Sequence, residues 1–279
     1  MLRLQGWRAR VTMSAGFTVI AAFLFLPIIW MMLTSIKPQG EVFVRIPSLW
    51  PKAATLENYR ELFSRGDMVE HLRNSLITAG GGALLTVVLA TYAAYSFAKF
   101  RYRGRKPLMM LMLSAQMFPF AMLLISLYPM LQALGLLNTR FGLILAYIIL
   151  ALPSGTYMLY SFFVNIPTEI IEAARVDGAG ELYILHRIVL PLAMPALVTV
   201  GLYSFMWAWN DLLFSLTLIT SPELRTVGPG LLLSYMGEGS SDWSGAMAAS
   251  IVSSLPVVIG FAFLQRFFIQ GLTAGAVKS

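Results

Sequence analysis

The chain has no cysteine, only two histidines, and charged side chains at 12% of its 279 positions. Without thiols there is no disulfide, no thiol nucleophile and no cysteine-ligated metal. Charge is also far below the roughly 25% of a soluble domain. What is abundant instead is apolar surface: 58% of residues are hydrophobic and the mean hydropathy is +0.74. The bilayer is the solvent this composition suits.

A helix that crosses a bilayer needs about 20 mainly apolar residues. Six stretches meet that need: Met13 to Leu33, Ser75 to Ala98, Leu108 to Leu131, Phe141 to Phe163, Leu192 to Ile219 and Gly245 to Phe268. The first follows Arg3, Arg8 and Arg10 as a signal peptide would, but its apolar run is too long for one and no small-residue cleavage site follows, so it reads as a retained anchor. Six spans place both termini on one side.

Lys and Arg near the membrane stay cytoplasmic. With the N-terminus inside, the inner segments hold Arg3, Arg8, Arg10, Lys99, Arg101, Arg103, Arg105, Lys106, Arg175, Arg187, Arg266 and Lys278, twelve of the 20 basic residues. The eight on the other side are matched by eight carboxylates, and "KFRYRGRKP" at 99–107 is the firmest inside marker. The net charge of +7 therefore reads as topology and attraction to anionic membrane lipid, with no need for nucleic acid. This orientation also sets His71 and His186 on opposite faces, which excludes a shared metal site or a histidine-based triad.

Between the spans, residues 34–74 form the longest external loop, expected to carry an amphipathic helix from about Thr55 and to cap an outer opening. The second external loop, Thr220 to Ser244, is rich in Gly, Ser and Pro and reads as a flexible, solvated connector. Pro27, Pro119, Pro153 and Pro256 fall within spans and suggest kinks. "AGGGA" at 79–83 supplies small residues for close helix packing. The C-terminal Gly271, Gly275, Lys278 and Ser279 lack the spacing of a phosphate-binding loop, so this chain is not expected to bind ATP that way.

One charged island interrupts the oil: "EAARVDGAGELYILHRIVLPLAMP" at 172–195. Pro167 and Thr168 start a helix whose first turns hold Glu169 and Glu172 near its positive end. Gly178 ends it, a second helix runs from about Gly180 to Leu190 with Leu182, Leu185 and Val189 on one side, and Pro191 leads into the fifth span. Glu172, Arg175 and Asp177 are spaced to satisfy one another, with no enclosed pocket for catalysis. The physical reading is a bent helical pair that docks on a soluble partner. In the fifth span, "SFMWAWNDLLF" sets Trp207 four residues from Asp211, with Tyr203 and Asn210 beside them. Aromatic faces with an amide and a carboxylate suit a sugar path, and structural hydrogen bonding is the equal alternative.

"EAARVDGA" followed by "RIVLPLAMP" resembles the EAA coupling loop of ABC importer permeases, matching at Glu172, Ala173, Ala174, Asp177, Gly178, Ala179, Ile188, Leu190 and Pro191. Leu185 stands where that family often has Phe, and Gly180 where Ser is common. "SIKPQGEVF", "PSLWP", "TLENYRELF", "WND" and "QRFFIQGLTAGAVKS" are similar to the smaller permease of maltose-type carbohydrate importers over essentially the whole chain.

The resemblance implies an all-α integral membrane protein with six transmembrane helices in the type I permease (MetI-like) fold, both termini cytoplasmic. It divides the chain into a cytoplasmic start (1–12), the first span (13–33), the external loop (34–74), a core permease domain (75–268) carrying the coupling loop (167–191), and a cytoplasmic tail (269–279). It implies a second homologous permease, two ABC ATPase subunits that carry the ATP and Mg, and an extracytoplasmic binding protein that delivers a carbohydrate. This chain would bind no cofactor or metal and hold no catalytic residue. Glu172 and Gly178 would engage the ATPase, Leu185 would fill an apolar pocket, and Gly271, Gly275 and Lys278 would lie close to the ATPases. A stand-alone secondary transporter is the alternative, but Asp211 is the one clear ionisable residue within a span, and that class needs more.

Overall fold

The computed structural model describes residues 7–42, 44–64, 66–237 and 242–276, with Arg8, Ala9 and residues 266–276 as backbone only. Arg3 and Lys278 thus lie outside the described residues, and Gly271 and Gly275 are placed only as backbone of the last helix. The described residues form helices and turns with no strand.

In chain order the helices are α1 (Trp7–Ser35), α2 (Glu57–Ser64), α3 (Asp67–Lys99), α4 (Arg105–Ser114), α5 (Phe120–Ala133), α6 (Arg140–Val164) and α7 (Thr168–Val176), then α8 (Glu181–Ile184) and α9 (Leu190–Leu192). They continue with α10 (Met194–Trp209), α11 (Leu213–Leu218), α12 (Val227–Tyr235) and α13 (Trp243–Ala276). Four of them, α1, α3, α6 and α13, are long and apolar enough to cross a membrane singly. Two bent pairs would raise the number to as many as six if each were one span: Arg105–Met117 meets Phe120–Ala133 at 103°, and Glu181–Leu192, which precedes the expected fifth span, meets Met194–Trp209 at 80°. The span expected at Leu108 to Leu131 is therefore broken at Pro119, whereas Pro27, Pro153 and Pro256 sit inside uninterrupted helices. A proline is tolerated inside a membrane helix where neighbouring groups take up the freed carbonyls.

The chain divides into two compact units. One takes in residues up to Met68 with Leu231–Ser254. Within it, the segments "SIKPQGEVF", "PSLWP" and "TLENYRELF" knit together. Asn58 donates to the Ser35 and Lys37 carbonyls at 2.7 and 2.9 Å, and the Ser35 and Tyr59 hydroxyls meet at 2.8 Å. Glu41 accepts from the amides of Lys52 and Ala53, and buried Lys37 donates to the Ser48 carbonyl with its ammonium 4.8 Å from the Trp30 ring centre. The long loop is thus a bonded structure around α2, as its amphipathic stretch foretold.

The second unit, Val69–Gly230 with Leu255 onward, is built on α3, α6 and α10. The small residues of 79–83 do the packing expected of them: Gly81 faces Ile144 and Gly82 faces Tyr147 of α6 with no room to spare. Gly155 of α6 returns the contact against Thr86 of α3 and Val200 of α10. Such approaches let dispersion act over long helix contacts where lipid supplies no hydrophobic drive.

The stretch expected to be a flexible connector after Thr220 is instead held in place. Asn138, at φ 55, accepts from the amides of Thr220 and Ser221 and donates to the Ser221 hydroxyl at 2.7 Å. Asn74 donates to the carbonyls of Glu223 and Arg225, and its own oxygen accepts from Arg140 at 2.9 Å. The Val227 amide then bonds the Ser75 hydroxyl and α12 begins. Composition marked a loop correctly but said nothing of these distant asparagines.

α6 starts on a side-chain cap, Thr139 accepting from the Gly142 amide at 3.0 Å. A Cβ at Gly142 would be driven into the Leu136 carbonyl oxygen, while one at Gly80 would meet nothing within 4 Å. Gly142→Ala is expected to lose more than about 2 kcal/mol and Gly80→Ala to gain about 0.5–1 kcal/mol from helix propensity. Thermal unfolding in detergent micelles checks the pair, and equal midpoints for both variants would contradict the packing described.

Candidate functional site: coupling arm and cavity

The charged island folds as a helix, a turn and a second arm. α7 ends in a paired hydrogen-bond closure: the Ala179 amide reaches back to the Ala174 carbonyl at 2.9 Å and the Gly178 amide to Arg175 at 3.0 Å, with Gly178 at φ 85. This is the Schellman arrangement, and its left-handed residue is the position where a Cβ is strained. The space around Gly178 is open, so the requirement is conformational and not steric.

Two expectations for this loop change. Arg175 pairs with Glu181 across the turn, Nε to Oε1 at 2.7 Å, and not with Glu172 or Asp177, which stay exposed. The turn sets Glu181 opposite the last turn of α7, closer than the neighbours on Arg175's own helix. The hydrogen bond from Arg175 holds the Glu181 carboxyl below the usual carboxylate range, against partial burial and aided by the Tyr95 hydroxyl. Both side chains are about 40% exposed (40% and 38%), so the pair adds orientation more than stability.

The second arm also turns differently. Leu182 is 67% exposed, while Ile184, Leu185 and Val189 are buried. Ile184 and Leu185 fix the inward face of the short α8, which leaves Leu182 outward, and a π-helical turn over Leu185–Val189 then carries that face on to Val189. Leu185, expected to enter a partner's pocket, is 1% exposed and packs in this chain's own core with Ile171, Phe163 and Tyr95. Each such buried side chain contributes roughly 2 kcal/mol. Ala174, Ala179 and Ile188 lean on the same core, and Glu172, Ala173, Asp177, Gly178 and Pro191 remain outward. The large apolar residues left facing out include Val176 (88% exposed), Leu182 and Tyr183, with Ile170 less so, and none of them was singled out by the motif. Their signal was present in the sequence as apolar residues flanking the charged turn.

The cavity lies in the second unit, with a volume of about 860 Å³, within the range of small-molecule sites. Tyr203, Trp207, Asn210 and Asp211 all line it, so the structure brings the four together. Thr199, Leu202 and Met206 extend the same wall of α10, a stripe at helical spacing that sequence reasoning stopped short of. Phe120, Met158, Leu212, Leu213 and Phe261 complete it. Trp207 is packed edge-on against Tyr147 at 6.1 Å and tilted to Phe214 at 6.2 Å. Tyr203 donates to Ser154 at 3.4 Å, and Ser154 also accepts from Gln116, beside the Pro119 break.

Asp211 does not ride on the face of a continuous span. α10 stops at Trp209, and the Asp211 carboxylate accepts from the amides of Phe214 (3.2 Å) and Ser215 (2.9 Å) and from the Tyr147 hydroxyl (3.1 Å). It closes the start of α11 and still borders the cavity, so hydrogen bonding and lining coincide in one residue. Among the described residues no His, Asp and Glu cluster could hold a metal. His186 instead contacts Tyr92, about 30 Å along α3 from His71 by helical rise.

Asp211→Ala would strand two amides and a buried phenol, with an expected loss of about 2 kcal/mol, whereas Tyr147→Phe removes one bond and costs about 1 kcal/mol. Unfolding midpoints in one detergent rank the two variants; a midpoint for Asp211→Ala at or above that of Tyr147→Phe would contradict the capping role.

Residues 82–274 match the family model described as "Binding-protein-dependent transport system inner membrane component". The chain is 36% identical to the sulfoquinovosyl glycerol transport system permease protein SmoH of Agrobacterium fabrum, covering 90% of this chain and 88% of that one. It is 34% identical to the trehalose/maltose transport system permease protein MalG of Thermococcus litoralis, covering 96% and 97%. The fold matches a chain in the crystal structure of a bacterial ABC transporter involved in the import of the acidic polysaccharide alginate, with a TM-score of 0.84 at 22% identity over 95% of this chain and 99% of that one. Apolar spans, the coupling motif and the family match converge: the chain belongs to the binding-protein-dependent transport system inner membrane components and is a multi-pass inner-membrane permease subunit of an ABC importer.

Proposed function

We propose that this subunit translocates a carbohydrate, working with a second homologous permease, two ATPase subunits that hold ATP and Mg, and an extracytoplasmic binding protein. It contributes no catalytic residue of its own; its termini and the 167–191 loop lie on the cytoplasmic side. One observation carries the coupling role: the Glu181–Leu192 arm stands at 80° to the span that follows and leaves a charged, partly apolar face uncovered. Glu172 and Asp177 supply polar contacts on that face, Val176, Leu182 and Tyr183 supply apolar ones, and Gly178 supplies the bend between them. Closure of the ATPases moves this face and so shifts the permease between inward- and outward-open states, the nucleotide favouring one of them. Gly271, Gly275 and Lys278 belong to a tail that lies near the ATPases in this reading.

The named relatives carry sulfoquinovosyl glycerol, and trehalose and maltose. The cavity adds a preference between such solutes. Tyr203, Trp207 and Phe120 offer faces for pyranose rings, Asn210 and Asp211 offer polar atoms for hydroxyls, and among the described residues none that lines it is Lys, Arg or His. An anionic sugar there would find a carboxyl and no counter-charge, which is costly away from water. A neutral saccharide is the better fit.

Two outcomes are expected from the complex reconstituted in liposomes. A neutral disaccharide is taken up only with ATP and binding protein, and an equimolar uronate or sulfonate analogue does not compete. Gly178→Val, strained by roughly 1 kcal/mol at its left-handed position, lowers sugar-stimulated ATP hydrolysis several-fold. Uptake without ATP would overturn the importer reading, effective competition by the anion would overturn the neutral preference, and undiminished stimulation in Gly178→Val would overturn the role given to the bend.

A further inference from the structure

The loop is held by a helix that is not its chain neighbour. Tyr92, Tyr95 and Lys99 follow one another at i, i+3 and i+7 on the last turns of α3, hence on one face. Each grips a different part of the loop. The Lys99 ammonium donates to the Ile166 carbonyl at 2.8 Å, where the loop begins. The Tyr95 hydroxyl donates to Glu181 Oε2 at 3.0 Å, in the middle, while the other oxygen of Glu181 holds Arg175. Tyr92 meets His186 Nε2 at 3.1 Å on the second arm. Farther along α3, Gly82 lies against Tyr147, whose hydroxyl bonds Asp211 at the cavity wall.

Resting on the importer reading above, we infer that α3 transmits the movement of the coupling loop to the cavity, and that Tyr95 and Glu181 are the positioning residues that make loop and helix move as one body. The chemistry supports a stiff connection and not a sliding one. Tyr95 is 4% exposed, and its ring packs edge-on against Phe163 at 6.3 Å and Phe100 at 5.8 Å, so the phenol cannot follow Glu181 by swinging. One carboxylate joins the end of α7, the start of α8 and α3, so any tilt of α7 is felt by both other elements. The stripe lies on the inward side of the loop, away from Val176, Leu182 and Tyr183, so removing it need not remove the docking face. Helices packed without slack, as Gly82 is on Tyr147, pass displacement along because close-packed contacts shift as units. Transmission between loop and cavity is read by a coupling measurement.

The absence of native cysteine makes that measurement direct. Thr199→Cys places a single thiol on the cavity wall, and its rate of maleimide labelling in the reconstituted complex is compared with and without ATP and vanadate. In the otherwise native chain the rate changes with nucleotide. Adding Tyr95→Phe leaves the ATPases bound but reduces both this change and the sugar transported per ATP, by about tenfold for a lost bond to a charged group. Glu181→Gln, which keeps an acceptor for Tyr95 but loses the charge that holds Arg175, acts in the same direction.

A Tyr95→Phe complex with native stoichiometry and native nucleotide-dependent labelling would overturn the inference. So would loss of the ATPases from it, since the stripe would then be serving docking or folding. If the otherwise native chain itself shows no nucleotide-dependent labelling, the failure lies with the importer reading and not with Tyr95.

Discussion

A helix that stops within a bilayer leaves amides and carbonyls with no water to receive them. One interruption in this chain falls where a side chain meets that need. At the end of α10 the Asp211 carboxylate takes two amides of α11. After α11, Asn138 takes the next two free amides and Asn74 serves two carbonyls farther on. These polar side chains take up backbone groups where the chain leaves the helical path, and the cavity lies beside the departure at Asp211. The cavity borders the break that Asp211 closes, and Asn138 and Asn74 order the segment that follows it.

The same economy governs the coupling arm at the other end of α3. Its motif residues divide between two tasks that a sequence pattern cannot separate. Leu185, Ile188, Ala174 and Ala179 seat the arm on the chain's own core, and Gly178 sets the angle between its halves. Glu172 and Asp177 stay in solvent with Val176, Leu182 and Tyr183 as the face left for a partner. A pattern of this kind is therefore as much a prescription for mounting the arm as for docking it.

Much of this was legible in the sequence. Apolar spans followed from hydropathy because lipid tolerates few alternatives to a helix, four of them as single helices and the others as bent pairs, and the left-handed Gly178 followed from its place between two helical patterns. The cavity quartet followed from helical spacing of Tyr203 and Trp207 with the adjoining polar pair. What escaped has physical reasons. The exposure of Leu182 depends on which face of the short α8 meets the core, a choice that Ile184 and Leu185 make and that apolar spacing alone leaves open. The Arg175 partner lies across a turn whose geometry, not spacing, decides the pairing. Only one of four prolines marked as kink candidates sits at a break beyond 40°, because the outcome depends on neighbouring helices. The ordering of residues 220–227 rests on Asn74 and Asn138, distant in sequence and unremarkable in type.

The account's central claim is that the helical pair at 167–191 is a docking element mounted on a transmembrane body. Its most direct test is to express this chain, tagged, with its neighbouring genes and to identify what purifies with it in mild detergent. The account predicts a second permease and a Walker-motif ATPase, with the ATPase alone lost when residues 169–190 are replaced by a flexible linker of equal length. A chain that purifies by itself, or an ATPase that remains bound after the replacement, would contradict it.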